Sequence, residues 1–260
     1  MKKLERHGPY TLLAPLGERS RGHTWMAQAG EGENATVVAL KLALPKDAAG
    51  RTRIFHEVDL AAPLNHPHIV RLFECGEAKG VLWLSTAYVG GPHQPLKLGN
   101  FRQLLLALLH VHANELIHAS LSPSRLLLDE EGDMQLCHFA DARRHGEPGQ
   151  APLGPLPFMS PEQLRGEPLD VRADLFAAGA VLYQILTGMA PFSGASANAM
   201  TQLLQPGQPA PSAVAPGLGT SFDAVVAKAL AREREARYAS VFELLGAFDA
   251  ACKRGVRPAP

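Results

Sequence analysis

Neither sign of charge dominates this sequence. Its 260 residues carry 25 Lys+Arg and 25 Asp+Glu, for a formal net charge of +0 at pH 7. Such a chain has no bulk field with which to hold nucleic acid or an anionic membrane. Cysteine is scarce: Cys75, Cys137 and Cys252 are the only three, far apart and without a CxxC pair. That argues against a disulfide framework and against a zinc site, and buried thiols in a reducing compartment are expected. Long apolar runs are missing too. The most apolar stretch, Leu175 to Tyr183, meets Gln184, well short of the ~18 residues of a membrane span. The first residues, Met-Lys-Lys-Leu-Glu-Arg-His, contain no apolar stretch of the kind a signal peptide requires, so a cytoplasmic setting is expected. No internal repeat is visible.

What is present is ordinary in amount. Hydrophobic residues make up 46% and charged ones 19%, which excludes global disorder. A chain of this length can bury roughly three quarters of its unfolded surface, enough for one large domain or two lobes. Its 24 glycines and 21 prolines amount to about 17% against a usual ~12%. They follow no short period, so they predict long turns and loops.

Along the chain, Tyr10–Leu16, Thr24–Gln28 and Thr36–Leu42 read as short strands. Ile54–Leu64 has apolar residues at helical spacing and stops at Asn65-His66-Pro67. Ile69–Phe73 and Val81–Tyr88 predict a hairpin with Gly76 and Gly80 between its strands. Gly90-Gly91-Pro92 interrupts the pattern, and helices follow at Phe101–Glu115, Asp174–Leu186, Ser221–Ala231 and Ser240–Ala251. Asp174–Leu186 is apolar all round, which predicts burial on every side. Leu126–Leu128 and Met134–Leu136 are short strands around Glu131-Gly132, and residues 148–157 and 207–219 are Pro/Gly-rich loops.

Several motifs stand in a telling order. Val38-Ala39-Leu40-Lys41 is followed by Glu57, then by Asn65-His66-Pro67-His68-Ile69-Val70. Later come Met159-Ser160-Pro161-Glu162-Gln163-Leu164, Asp170 to Gly179, Leu186-Thr187-Gly188 and Glu235-Ala236-Arg237-Tyr238. This series resembles the protein kinase superfamily, closest to the bacterial serine/threonine type, over about residues 8 to 253. The resemblance implies an α+β, two-lobed kinase-like fold: a small antiparallel sheet lobe with one helix (8–86), a hinge (87–92), a larger mainly helical lobe (93–253) and a tail (254–260). It implies that Lys41, paired with Glu57, would face nucleotide phosphates. Gly17 and Gly22 would belong to a phosphate-covering loop, Thr86 would be the gatekeeper, and backbone groups at Ala87 and Val89 would face an adenine. Glu162 and Arg237 would form a buried ion pair. The two histidines at 66 and 68 are explained by the turn without a metal.

The same resemblance exposes what has been replaced. The family's catalytic loop reads His-Arg-Asp-Leu-Lys-Pro-x-Asn. Here the stretch is His118-Ala119-Ser120-Leu121-Ser122-Pro123-Ser124-Arg125. Ser120 stands where the proton-accepting aspartate belongs, Ser122 where the lysine belongs, and Arg125 where a magnesium-binding asparagine belongs. A serine hydroxyl is no base near neutral pH, and general-base help is typically worth ~10²–10⁴-fold. His138-Phe139-Ala140 replaces Asp-Phe-Gly, and imidazole is a poor ligand for a hard cation that prefers oxygen. Asp141 lies three residues late and should point elsewhere. Arg19 takes the place of the middle glycine of the phosphate loop, where a side chain obstructs close approach.

Arg19, Arg21 and Arg125 either supply the charge a metal would have supplied or fill an empty cleft. Lys41 and Glu57 either contact nucleotide or only steady the helix. Ala119 replaces the arginine that would grip a phosphorylated activation segment, and residues 142–159 contain no Ser, Thr or Tyr. Pro148, Pro152, Pro155 and Pro157 would make that segment stiff, a candidate recognition surface. The expectation is a pseudokinase that binds a protein partner, an active kinase or other signalling protein, as scaffold or allosteric regulator. The alternatives are an atypical phosphotransferase and a sensor that binds ATP without a metal. No catalytic residue, metal or firm cofactor is expected, and ATP without magnesium is the one nucleotide reading left open.

Overall fold

Alternating side chains build the first sheet. The structure, a computed structural model, describes residues 5–16, 23–30, 32, 35–91, 94–147, 155–192 and 208–255. The chain divides into two compact units, residues 1–92 with 127–141 and residues 93–126 with 142–260.

In the first unit, β1 (Arg6–His7), β2 (Tyr10–Pro15), β3 (His23–Ala29), β4 (Thr36–Ala43), β5 (Leu72–Ala78) and β6 (Val81–Ala87) pair antiparallel in the order β1-β2-β3-β4-β6-β5. Val38, Leu40 and Leu42 of β4 enter one core with Tyr10, Leu12, Ala27, Val81 and Trp83. Ala43, Leu82 and Leu84 form another core with Ile54, on α1 (Ala48–Ala61), the one α-helix among the described residues of this unit. The period-two pattern of β4 thus serves two apolar layers, each large side chain contributing roughly 1.5–3 kcal/mol by burial.

Two boundaries differ from the sequence pattern for local reasons. Helix α1 begins at Ala48 because Asp47 caps it, its Oδ1 accepting from Gly50 N at 2.8 Å. The hairpin strand runs Leu72–Ala78 and not Ile69–Phe73, so Gly76 is a strand residue. It lies opposite Trp83, whose indole fills the space a Cβ on Gly76 would need. The turn is Lys79-Gly80, with φ of 52° and 78°, the twisted two-residue geometry that hairpins favour.

Residues 127–141, expected in the C-terminal lobe, belong to the first unit. Leu126–Leu128 and Met134–Leu136 pair as a two-stranded sheet, and Leu136 bridges to Ile69. Val70 N donates to the Leu136 carbonyl and Leu136 N to the His68 carbonyl, both at 2.9 Å. Backbone pairing to residues 68–70 carries this segment into that unit.

The second unit holds α2 (Leu98–Ala113), α3 (Pro161–Arg165), α4 (Arg172–Thr187), α5 (Pro211–Val214), α6 (Asp223–Ala229) and α7 (Val241–Gly255). Helix α4 is buried continuously from Ala173 to Tyr183. Gly179 lets α6 approach, since a Cβ there would stand 2.6 Å from Ala229 Cβ. Phe101 of α2 meets Phe248 of α7 with ring centroids 4.9 Å apart. Within 207–219, read as loop, Pro211 starts α5, and Asp223 accepts from Ser212 N and Oγ at 3.0 and 2.6 Å. Among the described residues, no helix is long and apolar enough to cross a membrane.

Candidate functional site

Lys41 and Glu57 meet within the first unit. Lys41 lies on β4 opposite Leu84 of β6, on the sheet face that α1 covers. Glu57 points inward from α1 and is 5% exposed. The Lys41 ammonium donates to both carboxylate oxygens, at 2.5 and 2.7 Å. Phe139 N donates to Glu57 Oε1 at 3.1 Å, so one carboxylate ties strand, helix and the 138–140 triplet together. Burial pushes the Glu57 carboxyl up. The Lys41 charge, the field of His138 and these hydrogen bonds pull it down further, and the net position is below the ordinary carboxylate range.

His138 takes a left-handed backbone conformation, φ 72°, which is uncommon outside glycine and small polar residues. Its Nε2 lies 3.3 Å from Asp141 Oδ2, with the two side chains 26% and 12% exposed. Asp141, expected to point elsewhere, turns back onto His138. An imidazole paired with a carboxylate and lying in the field of Glu57 does not present the cluster of free oxygens that magnesium prefers. Among the described residues, no group of three or more His, Cys, Asp or Glu side chains could hold a metal ion.

Thr86 is opposite Ala39 and shares the sheet face of Lys41. Ala87 turns to the other face, and its N–H already donates to the Arg71 carbonyl at 2.8 Å. Val89 is half-buried just beyond β6. Gly17, Arg19, Arg21 and Gly22 lie outside the described residues, as do Pro148 and Pro152.

In the second unit a different carboxylate organises the loop from His118 to Arg125. Asp174, on α4, is 1% exposed. It accepts from His118 N at 2.8 Å, from Ala119 N at 2.9 Å and from His112 Nε2 at 2.9 Å, with the imidazole as donor. Burial raises its carboxyl, but His112, the charge field of His118 and the backbone donor lower it more, leaving it below its ordinary range. These bonds hold Ala119 at φ 59°, a conformation that costs roughly 1–2 kcal/mol for a residue with a Cβ. Gln163 Nε2 donates to the Ala119 carbonyl at 2.6 Å.

Ser120 is 4% and Ser122 1% exposed. Ser122 Oγ pairs with Ser124 Oγ at 3.1 Å, and its carbonyl accepts from Arg125 N at 2.9 Å, closing a 3-10 turn. The Arg125 side chain is half-buried. Farther on, Arg237 grips Glu162 through two bonds of 2.6 and 2.8 Å, with both residues nearly inaccessible. The Glu162 carboxyl, raised by burial, is brought below its usual range by that guanidinium.

Sequence reasoning brought Lys41 to Glu57 and Glu162 to Arg237. It missed Asp174 with His112, and Gln163. Asp174 had a legible signal, an acid in the first turn of a helix with a long apolar run; His112 and Gln163 had none.

The protein kinase domain family matches residues 10–240. The chain is 31% identical over 240 residues to the probable serine/threonine-protein kinase PknB of Bifidobacterium longum, covering 82% of this chain and 35% of that protein. It is 31% identical over 261 residues to the probable serine/threonine-protein kinase SCO3848 of Streptomyces coelicolor, covering 91% and 39%. With the serine/threonine-protein kinase PknH of Mycobacterium tuberculosis the identity is 31% over 256 residues, covering 91% and 41%. The chain therefore spans less than half the length of these curated relatives.

Proposed function

The chain belongs to the protein kinase family, and from that premise we propose that it is a catalytically impaired member, a pseudokinase that works by binding a signalling protein as scaffold or allosteric regulator. The observation that carries this reading is His138. It occupies the metal-holding position with an imidazole already paired to Asp141 at 3.3 Å. Phosphoryl transfer depends mainly on positioning and on neutralising charge at the phosphates. An imidazole there is a poor ligand for the magnesium that does this, and Arg125 stands where an oxygen ligand belongs. The proton-accepting position is Ser120, which has no basicity to offer near neutral pH.

The stabilising residues have been kept while the chemical ones have been exchanged. Asp174 still orients the backbone of His118 and Ala119, and Glu162 still holds Arg237. This combination suits a surface that must keep its shape without turning over substrate. The test is phosphotransfer by the purified chain with Mg²⁺ or Mn²⁺ and a generic protein acceptor. Turnover at or below the background of Lys41→Met is expected. Turnover that Lys41→Met abolishes would overturn the reading.

The intact Lys41–Glu57 pair favours one second reading, ATP bound without magnesium. The Lys41 side chain is 23% exposed, which leaves a phosphate a way to reach it. A rise in melting temperature with millimolar ATP in EDTA would support it, and no shift would remove it.

A further inference from the structure

Ser120 has an unusual position for a hydroxyl. Its Oγ is fully buried and, among the described residues, has no hydrogen-bond partner. A buried hydroxyl left unpaired costs free energy that native proteins seldom tolerate. Ser120 is one of the residues that line a small cavity of about 10 Å³, room for about one water centre. Its walls are Leu121, Pro155, Phe158 and Met159, with Gln163 beside them. All of these residues belong to the second unit.

The polar groups suffice for one small guest that both donates and accepts. Ser120 Oγ can do either. Gln163 Nε2 has two hydrogens and gives one to the Ala119 carbonyl at 2.6 Å, and that carbonyl oxygen has a second lone pair. Gln163 Oε1 is occupied by Ser160 N and Oγ at 3.0 and 3.1 Å, which fixes the amide's orientation and aims its nitrogen toward Ala119. A space of about 10 Å³ holds nothing larger than about one water.

We propose that this cavity is an ordered-water site, in which one water joins Ser120 Oγ to the Gln163 amide and so fastens the loop around Ala119 to the segment from Pro155 to Gln163. The water takes up the hydrogen-bonding capacity at position 120. The joint it makes is neutral and therefore insensitive to salt.

The experiment is a crystal structure of the chain at a resolution that shows ordered solvent, paired with thermal melts of the chain and of Ser120→Ala. Expected are a solvent peak within about 3.2 Å of Ser120 Oγ and a melting temperature lowered in Ser120→Ala by about 2–4 °C, since a water-bridged hydroxyl is lost. An unbridged hydroxyl behaves oppositely, because deleting a buried unpaired group is neutral or stabilising. No peak beside Ser120, or a melting temperature unchanged or raised in Ser120→Ala, would overturn the proposal.

Discussion

Glu57 is 5% exposed and keeps its charge because Lys41, Phe139 N and the field of His138 all favour it. Lys41→Met strands that carboxylate whether or not nucleotide binds. A loss toward the low end of the ~3–5 kcal/mol typical of a broken buried pair is expected, the lysine being partly exposed. Thermal melts without nucleotide check it, and Glu57→Gln in the Lys41→Met background should recover part of the loss. A variant used to abolish nucleotide contact is therefore also a stability variant, and its assays need folded-protein controls. His138→Asp is informative in the other direction. It would set a carboxylate beside Asp141 and Glu57, where an imidazole now stands. A lower melting temperature in EDTA is expected, and recovery on adding Mg²⁺ would reveal how much of a metal site one residue can restore.

At the scale of elements, the α4–α6 crossing depends on one missing side chain. Gly179 has no Cβ, and one placed there would stand 2.6 Å from Ala229 Cβ. Both residues are on helix backbones in a buried layer, so neither can swing away. Gly179→Val should cost about 1–3 kcal/mol through overpacking, measured as a lower denaturant midpoint with unchanged slope. The existence of α4 was legible, since its apolar residues run all round the helix, and so was the strand alternation of β4. What the sequence could not show is how elements terminate against one another. Gly76 looks like a turn residue, yet Trp83 across the hairpin requires it inside β5. Residues 127–141 look like part of the helical lobe, yet backbone pairing to residues 68–70 draws them into the first unit. For the site, the lysine and its acid were legible from their setting on a strand and the next helix. The role of Asp174 depends on backbone N–H groups 55 and 56 positions away, which leave no trace in residue types.

For the whole molecule, three carboxylates make acid the natural denaturant. Glu57, Glu162 and Asp174 are each raised by burial and lowered further by their partners, ending below their reference values of 4.5, 4.5 and 3.8. A group whose pKa is depressed in the folded state binds fewer protons there than in the unfolded chain. Its contribution is fully present above the unfolded value and is lost as pH falls through the folded one. Stability should therefore hold near neutrality and begin to fall as pH drops through about 4.5. The two units can be followed separately. Trp25 and Trp83, the only two tryptophans, lie in the first unit with Glu57. Helices α2 to α7 lie in the second with Glu162 and Asp174. Tryptophan emission therefore reports mainly the loss of Glu57's contribution, and helical circular dichroism mainly that of the other two. Glu162→Gln should lower the midpoint at pH 7, because Arg237 is left buried without its counter-charge, and should flatten the acid slope of the dichroism signal. Glu57→Gln should flatten the slope of the fluorescence signal. An unaltered dichroism slope in Glu162→Gln would mean that the Glu162–Arg237 pair does not govern acid stability, leaving Asp174 as the group whose protonation undoes the second unit.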